Sequence, residues 1–194
     1  MKTKILFIAI LGVFTSVFSQ EEITSPNNHI KIEIEHDNEL YLKVYLNNEE
    51  LIEKVTPKME FTGGKSFGAG DKLKNLSTKT VDEEIEAVVP VKSKLIRDHY
   101  NLLKMSFKNY DFEVRVYNNG WAYRFVSKLK GEIEVLDEQM NLQLGKDYTC
   151  YLPEEESLIS HFENYYEKLP TSAIENGTIA ALPTLFTNEN GISF

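Results

Sequence analysis

From Ile30 onward, apolar residues fall on every second position. Ile30, Ile32 and Ile34 alternate with Lys31, Glu33 and Glu35. Leu40, Leu42, Val44 and Leu46 alternate with Tyr41, Lys43 and Tyr45. A side-chain period of two marks a strand with one buried face and one wet face. The same rhythm returns in Leu103, Met105 and Phe107, in Phe112, Val114 and Val116, and in Trp121, Tyr123 and Phe125. Ile133, Val135, Leu142 and Leu144 predict two more strands, and Lys79 to Val91 is extended. Turn residues separate the runs: His36-Asp37-Asn38, Asn47-Asn48 and Asn109-Tyr110-Asp111. Asn118-Asn119-Gly120 is the strongest hairpin signal, because Asn and Gly accept the positive φ of tight turns. Gly63-Gly64 and Gly68-Ala69-Gly70 make Thr56 to Gly70 a predicted loop. The expected class is all-β, a sandwich of mostly antiparallel strands with at most one short helix.

Pro153 to Leu169 is the one helical candidate. Leu158, Phe162, Tyr165 and Leu169 fall at helical spacing, and Pro153 with Glu154, Glu155 and Glu156 suits a first turn. A turn-rich excursion off the sandwich is the alternative.

Of the 194 residues, 42% are hydrophobic, enough to bury a core. The formal charge of −9 argues against nucleic acid, whose partners carry a basic footprint. The single thiol, Cys150, lies between Tyr148 and Leu152 in a strand-like run and is read as structural. Met1 to Lys4 is a basic start, and Ile5 to Phe14 is an apolar run too short to span a bilayer. Val17 and Ser19 occupy the small-residue positions of a signal-peptidase site. Residues 1–19 are therefore expected to be a cleaved export signal, leaving residues 20–194 as one exported domain with no membrane span. Ile192-Ser193-Phe194 begins a further alternating strand, so the domain is expected to be incomplete at its C-terminal end.

Three segments carry a family resemblance. Ser25-Pro26-Asn27-Asn28-His29 precedes the first alternating strand. Arg97-Asp98-His99-Tyr100-Asn101 leads into the strand of Leu103. Arg115-Val116-Tyr117-Asn118-Asn119-Gly120-Trp121-Ala122-Tyr123-Arg124-Phe125 forms the predicted hairpin. This last run resembles the R-x-Y-x-x-G-x-A-x-R-[FY] hairpin of family 97 glycoside hydrolases. The opening is similar to their S-P-[DN]-G start, with Asn28 where Gly is usual. The resemblance implies a galactose-mutarotase-like β-supersandwich that forms the N-terminal domain of a larger enzyme. In such an enzyme the sandwich packs on a (β/α)8 catalytic barrel that hydrolyses α-glucosidic or α-galactosidic bonds in an α-linked oligosaccharide. It also implies a periplasmic or secreted location in a Gram-negative bacterium. The family's calcium ion and catalytic carboxylates map beyond this sequence, so no catalytic residue, metal ligand or cofactor is assigned within it. A stand-alone carbohydrate-binding or docking module is the alternative.

Within the chain, His161, Glu163, Tyr165 and Tyr166 form the most suggestive cluster, combining a base, an acid and two aromatic rings. They are the residues expected to lie beside substrate; exposed positions on an amphipathic helix are the other reading. Arg115 and Arg124 flank the hairpin turn. They either bind an anionic or sugar group or pair across strands with acids such as Glu113 or Glu134. Trp121, Tyr117 and Tyr123 either stack on a sugar or pack in a core. Gly63-Gly64-Lys65-Ser66 lacks the spacing and the strand-to-helix context of a phosphate loop. His29, His36, His99 and His161 lack zinc spacing. The acceptor triplets at Asn75 and Asn176 are expected to be unmodified.

Overall fold

A computed structural model describes residues 20–194. The expected export signal, residues 1–19, lies outside the described residues. The chain folds into two antiparallel sheets packed face to face, with a smaller strand-and-turn excursion attached. The first sheet opens with β1 (Gln20–Thr24), β2 (Ile30–Glu35) and β3 (Tyr41–Leu46), followed by the long β4 (Glu49–Phe61). The short β5 (Lys65–Phe67) folds back on β4. The second sheet holds β6 (Asn75–Glu86), β7 (Leu95–Ser106), β8 (Tyr110–Tyr117) and β9 (Gly120–Ser127) in sequence order. β10 (Val135–Gln143) then returns to the first sheet and completes the order β1-β2-β3-β4-β10. Among the described residues no helix is long and apolar enough to cross a membrane.

The alternation does what its period demands. Ile32, Ile34, Leu42 and Val44 from one sheet meet Leu103, Met105, Phe112 and Val114 from the other, and all are buried. Each such side chain contributes on the order of 2 kcal/mol when removed from water. Tyr110 stacks between Phe67 and Phe107, and its hydroxyl accepts the Gly68 N–H at 3.1 Å. The expected loop from Thr56 to Gly70 is instead mostly strand. Gly63 and Gly64, both at positive φ, turn β4 into β5. Two irregularities in the β3–β4 register bury Leu51 and Ile52 side by side, which breaks the period of two just before this stretch. Asn109 marks a turn, but Tyr110 and Asp111 already belong to β8.

Asn47 and Asn48 both take positive φ, as a tight hairpin requires. The Asn118-Asn119 turn sits where it was expected, but none of Asn118, Asn119 and Gly120 is at positive φ. Asn118 serves another purpose: its side-chain oxygen accepts the Asn27 N–H at 3.0 Å. Asn28 is at φ 59°, a conformation glycine enters freely and asparagine accepts. Asn101 donates to the Thr24 carbonyl at 2.9 Å, and the Tyr100 and Tyr117 rings lie 5.1 Å apart. The three motif segments therefore meet at one end of the sandwich.

β8 is buried on both faces. Its outer face carries Asp111 and Glu113, each nearly covered. Asp111 pairs with Lys104 at 2.9 Å and with Lys128. Burial pushes the Asp111 carboxyl up, but hydrogen bonds from Lys128, Lys104 and Ser106 outweigh it and hold the group down at about 2. Cys150 is fully buried, and burial raises its thiol, in keeping with a structural role.

Candidate functional site

The cluster singled out in the sequence lies on the excursion that follows β10. β11 (Thr149–Leu152) pairs with β13 (Glu167–Pro170) on one side and β15 (Leu185–Thr187) on the other. Between them, β12 (Glu154–Glu155) pairs with β14 (Ile179–Ala180). A single 3-10 turn, Thr171–Ala173, follows β13. Ile192 and Phe194 fold back on β15 and pack against the core.

The expected helix from Pro153 to Leu169 does not form; the turn-rich alternative does. Local side chains explain this. Ser157 accepts the Ile159 N–H at 3.2 Å, and Ser160 accepts the Phe162 N–H at 3.0 Å. Asn164 donates to the Glu154 carbonyl at 2.7 Å. Serine and asparagine compete with the helix for backbone groups in this way. Phe162 is at φ 53°, which no right-handed helix accommodates.

At the centre stands Glu155, only 6% exposed. Its Oε2 accepts Ser160 Oγ at 2.6 Å and Asn164 Nδ2 at 3.1 Å, while buried Oε1 has no hydrogen-bond partner. His161 and Glu163 line one shallow pocket of about 350 Å³ together with Glu155 and Asn164. Tyr165 borders a second, with Glu154 and Glu155, and Tyr166 a third, with Phe162 and Leu182. The structure therefore brings His161 and Glu163 together, places the two tyrosines on adjoining walls, and leaves all four exposed. Tyr165, Ile159 and Leu182 expose more than four-fifths of their surface. Sequence reasoning missed Glu155. Three consecutive glutamates look like a solvated run, yet strand alternation in β12 turns the middle one inward.

Among the described residues no three His, Cys, Asp or Glu side chains converge closely enough to hold a metal ion.

On the second sheet, Arg124 donates to Glu113 at 2.8 Å, its directly opposite neighbour, so cross-strand pairing accounts for it. Arg115 has no such acid. Its guanidinium lies 4.5 Å from the centre of the Tyr100 ring. Trp121 and Tyr123 pack against the core.

The chain is 28% identical over 202 residues to the retaining alpha-galactosidase of Bacteroides thetaiotaomicron, covering 97% of this chain and 30% of that protein. Its fold is similar to a glycoside hydrolase family 97 enzyme from Pseudoalteromonas sp. strain K8, solved with acarbose. The TM-score is 0.74 at 18% identity, with 89% of this chain and 27% of that one covered. A beta-arabinopyranosidase structure matches with a TM-score of 0.75 at 19% identity, over 86% of this chain and 29% of that one. The chain thus spans less than a third of the length of each of these relatives. The family model described as glycosyl-hydrolase 97 N-terminal matches residues 23–194. This chain belongs to the glycosyl-hydrolase 97 N-terminal family.

Proposed function

We propose that the chain is the N-terminal domain of an exported glycoside hydrolase of the α-glucosidase or α-galactosidase type. In this reading it packs on a (β/α)8 catalytic barrel, forms one wall of the site for an α-linked oligosaccharide, and is inactive alone. One observation carries the reading: the family match fills residues 23–194, whereas the chain covers only 30% of the galactosidase it resembles. The chemistry agrees. Glycoside cleavage needs two carboxyl groups roughly 5–10 Å apart across one bond. Here Glu155 is buried with Oε2 engaged by Ser160 and Asn164, and Glu163 is exposed. The exposed rings and aliphatic groups of the excursion, among them Ile159, Tyr165 and Leu182, suit a surface that another domain covers. Export rests on the leader-like residues 1–19.

The test is direct. Residues 20–194 are purified and incubated with nitrophenyl α-galactoside and α-glucoside, with and without calcium. No turnover is expected, and clear turnover by the isolated chain would overturn the reading. Fusing residues 1–19 to a reporter that is active only outside the cytoplasm tests export. A silent reporter would remove that part.

A further inference from the structure

The hairpin that carries the family resemblance has an outer face that the core does not explain. Val114, Val116, Trp121, Tyr123 and Phe125 point inward. Arg115, Tyr117, Gly120, Ala122 and Arg124 occupy the alternate positions. The register sets Tyr117 opposite Gly120, Arg115 opposite Ala122 and Glu113 opposite Arg124. Beside the two bulky residues of β8, therefore, β9 offers almost no side chain. The result is a pocket of about 250 Å³ lined by Glu113, Arg115, Tyr117, Ala122, Tyr123 and Arg124. A Cβ placed on Gly120 meets nothing within 4 Å, which shows how open this side is.

The charges around the pocket are unequal in their commitments. Lys104, Lys128 and Arg124 are each paired with Asp111 or Glu113. Among the described residues Arg115 makes no ion pair. Tyr117 is the foremost influence raising its basicity, and Asp98 acts on it only through its field. Its guanidinium is fixed over the Tyr100 ring, which leaves a preorganised planar fork at the pocket wall.

We propose that this pocket, built by Arg115, Tyr117 and Ala122, is a binding site for a singly charged carboxylate. The Arg115 fork donates two parallel hydrogen bonds to the carboxylate oxygens, and the gap over Ala122 and Gly120 houses the group that bears it. Glu113 at the rim disfavours doubly charged phosphate or sulfate. The carboxylate belongs to a sugar acid or to an acidic side chain of another segment. The site does not depend on the glycosidase reading.

The test is NMR of the full chain. The Arg115 Nε–H signal and the Ala122 amide are followed while sodium acetate, sodium glucuronate or N-acetylglutamate α-amide is added. Sodium chloride and glucose serve as controls. Saturable shifts with the carboxylates alone are expected. Arg115→Met keeps the side-chain stem over Tyr100 but removes the fork. Ala122→Leu fills the gap without touching a charge. Each weakens binding about tenfold or more, read at the position-122 amide, while Trp121 emission reports an intact fold. Arg115→Lys keeps the charge and still loses most of the affinity. Glucuronate binding well ahead of the other two identifies a sugar acid, and equal binding identifies an acidic side chain. Shifts that never saturate, that chloride reproduces, or that survive Ala122→Leu would overturn the proposal.

Discussion

Replacing Asp111 with asparagine isolates the electrostatics of the outer face of β8. Asp111 is 6% exposed and pairs with both Lys104 and Lys128. Its carboxyl is held at about 2, against 3.8 for the free group. A drop of that size corresponds to about 2 kcal/mol of stability at neutral pH. The folded pKa is depressed, so this stability is fully present above pH 3.8 and is lost as pH falls through 2. About half of it survives at pH 3. Asp111→Asn should therefore be about 2 kcal/mol less stable than the parent at pH 7. The gap should narrow to about 1 kcal/mol at pH 3 and nearly close by pH 2. Urea melts of both proteins at several pH values, followed by the fluorescence of the single tryptophan, give the difference directly. The two proteins differ only at this position, so the difference reports on the change made at Asp111 and its lysine partners. A gap that stays constant from pH 7 to pH 2 would show that the two lysines do not hold the ionised carboxyl in the folded state.

Other substitutions test other parts of the fold. Met105→Ala empties a fully buried position between the sheets and should cost about 3 kcal/mol in a urea melt. Gly63 and Gly70 both have positive φ, but a Cβ at Gly63 meets open space while one at Gly70 runs into the Asn38 carbonyl. Gly63→Ala should cost about 1 kcal/mol and Gly70→Ala clearly more, measured by thermal melting. Glu155→Ala removes the acceptor shared by Ser160 and Asn164. Hydrogen exchange across residues 156–166 should accelerate about tenfold or more while the core amides stay protected.

Most of the sandwich was legible because a period of two is a statement about faces, and faces decide which residues meet. Ile32, Met105 and Phe112 could be placed in a core without knowing which strands were neighbours. Legibility failed where something other than period decided the outcome. Register shifts in β4 bury Leu51 beside Ile52 and hide the alternation, so a strand and its hairpin resembled a loop. In the excursion, Leu158, Phe162, Tyr165 and Leu169 keep helical spacing by coincidence. Leu158, Phe162 and Tyr165 stay exposed; only Leu169 is half-buried, and it lies in β13, opposite Cys150. Hydrogen bonds from Ser157, Ser160 and Asn164 fix that segment, and such bonds leave no periodic trace.

The same contrast separates the two candidate surfaces. His161, Glu163, Tyr165 and Tyr166 were chosen by residue type; the structure sets the first three beside Glu155, whose inward turn depends on a two-residue strand that no pattern announces. The Arg115 pocket is different, since its plan is written in the hairpin itself. A two-residue turn after Tyr117 forces Gly120 opposite Tyr117 and Ala122 opposite Arg115. Small residues facing large ones on a wet face leave a gap, whereas small residues on the core face would leave a cavity. What the alternation lacked was the identity of the wet face, because Trp121, Tyr123 and Phe125 on one side and Arg115, Tyr117 and Arg124 on the other both offer aromatic or long side chains. The core decides it: Trp121, Tyr123 and Phe125 pack against the buried cluster, which leaves Arg115, Tyr117 and Arg124 with their gap to solvent or to a ligand.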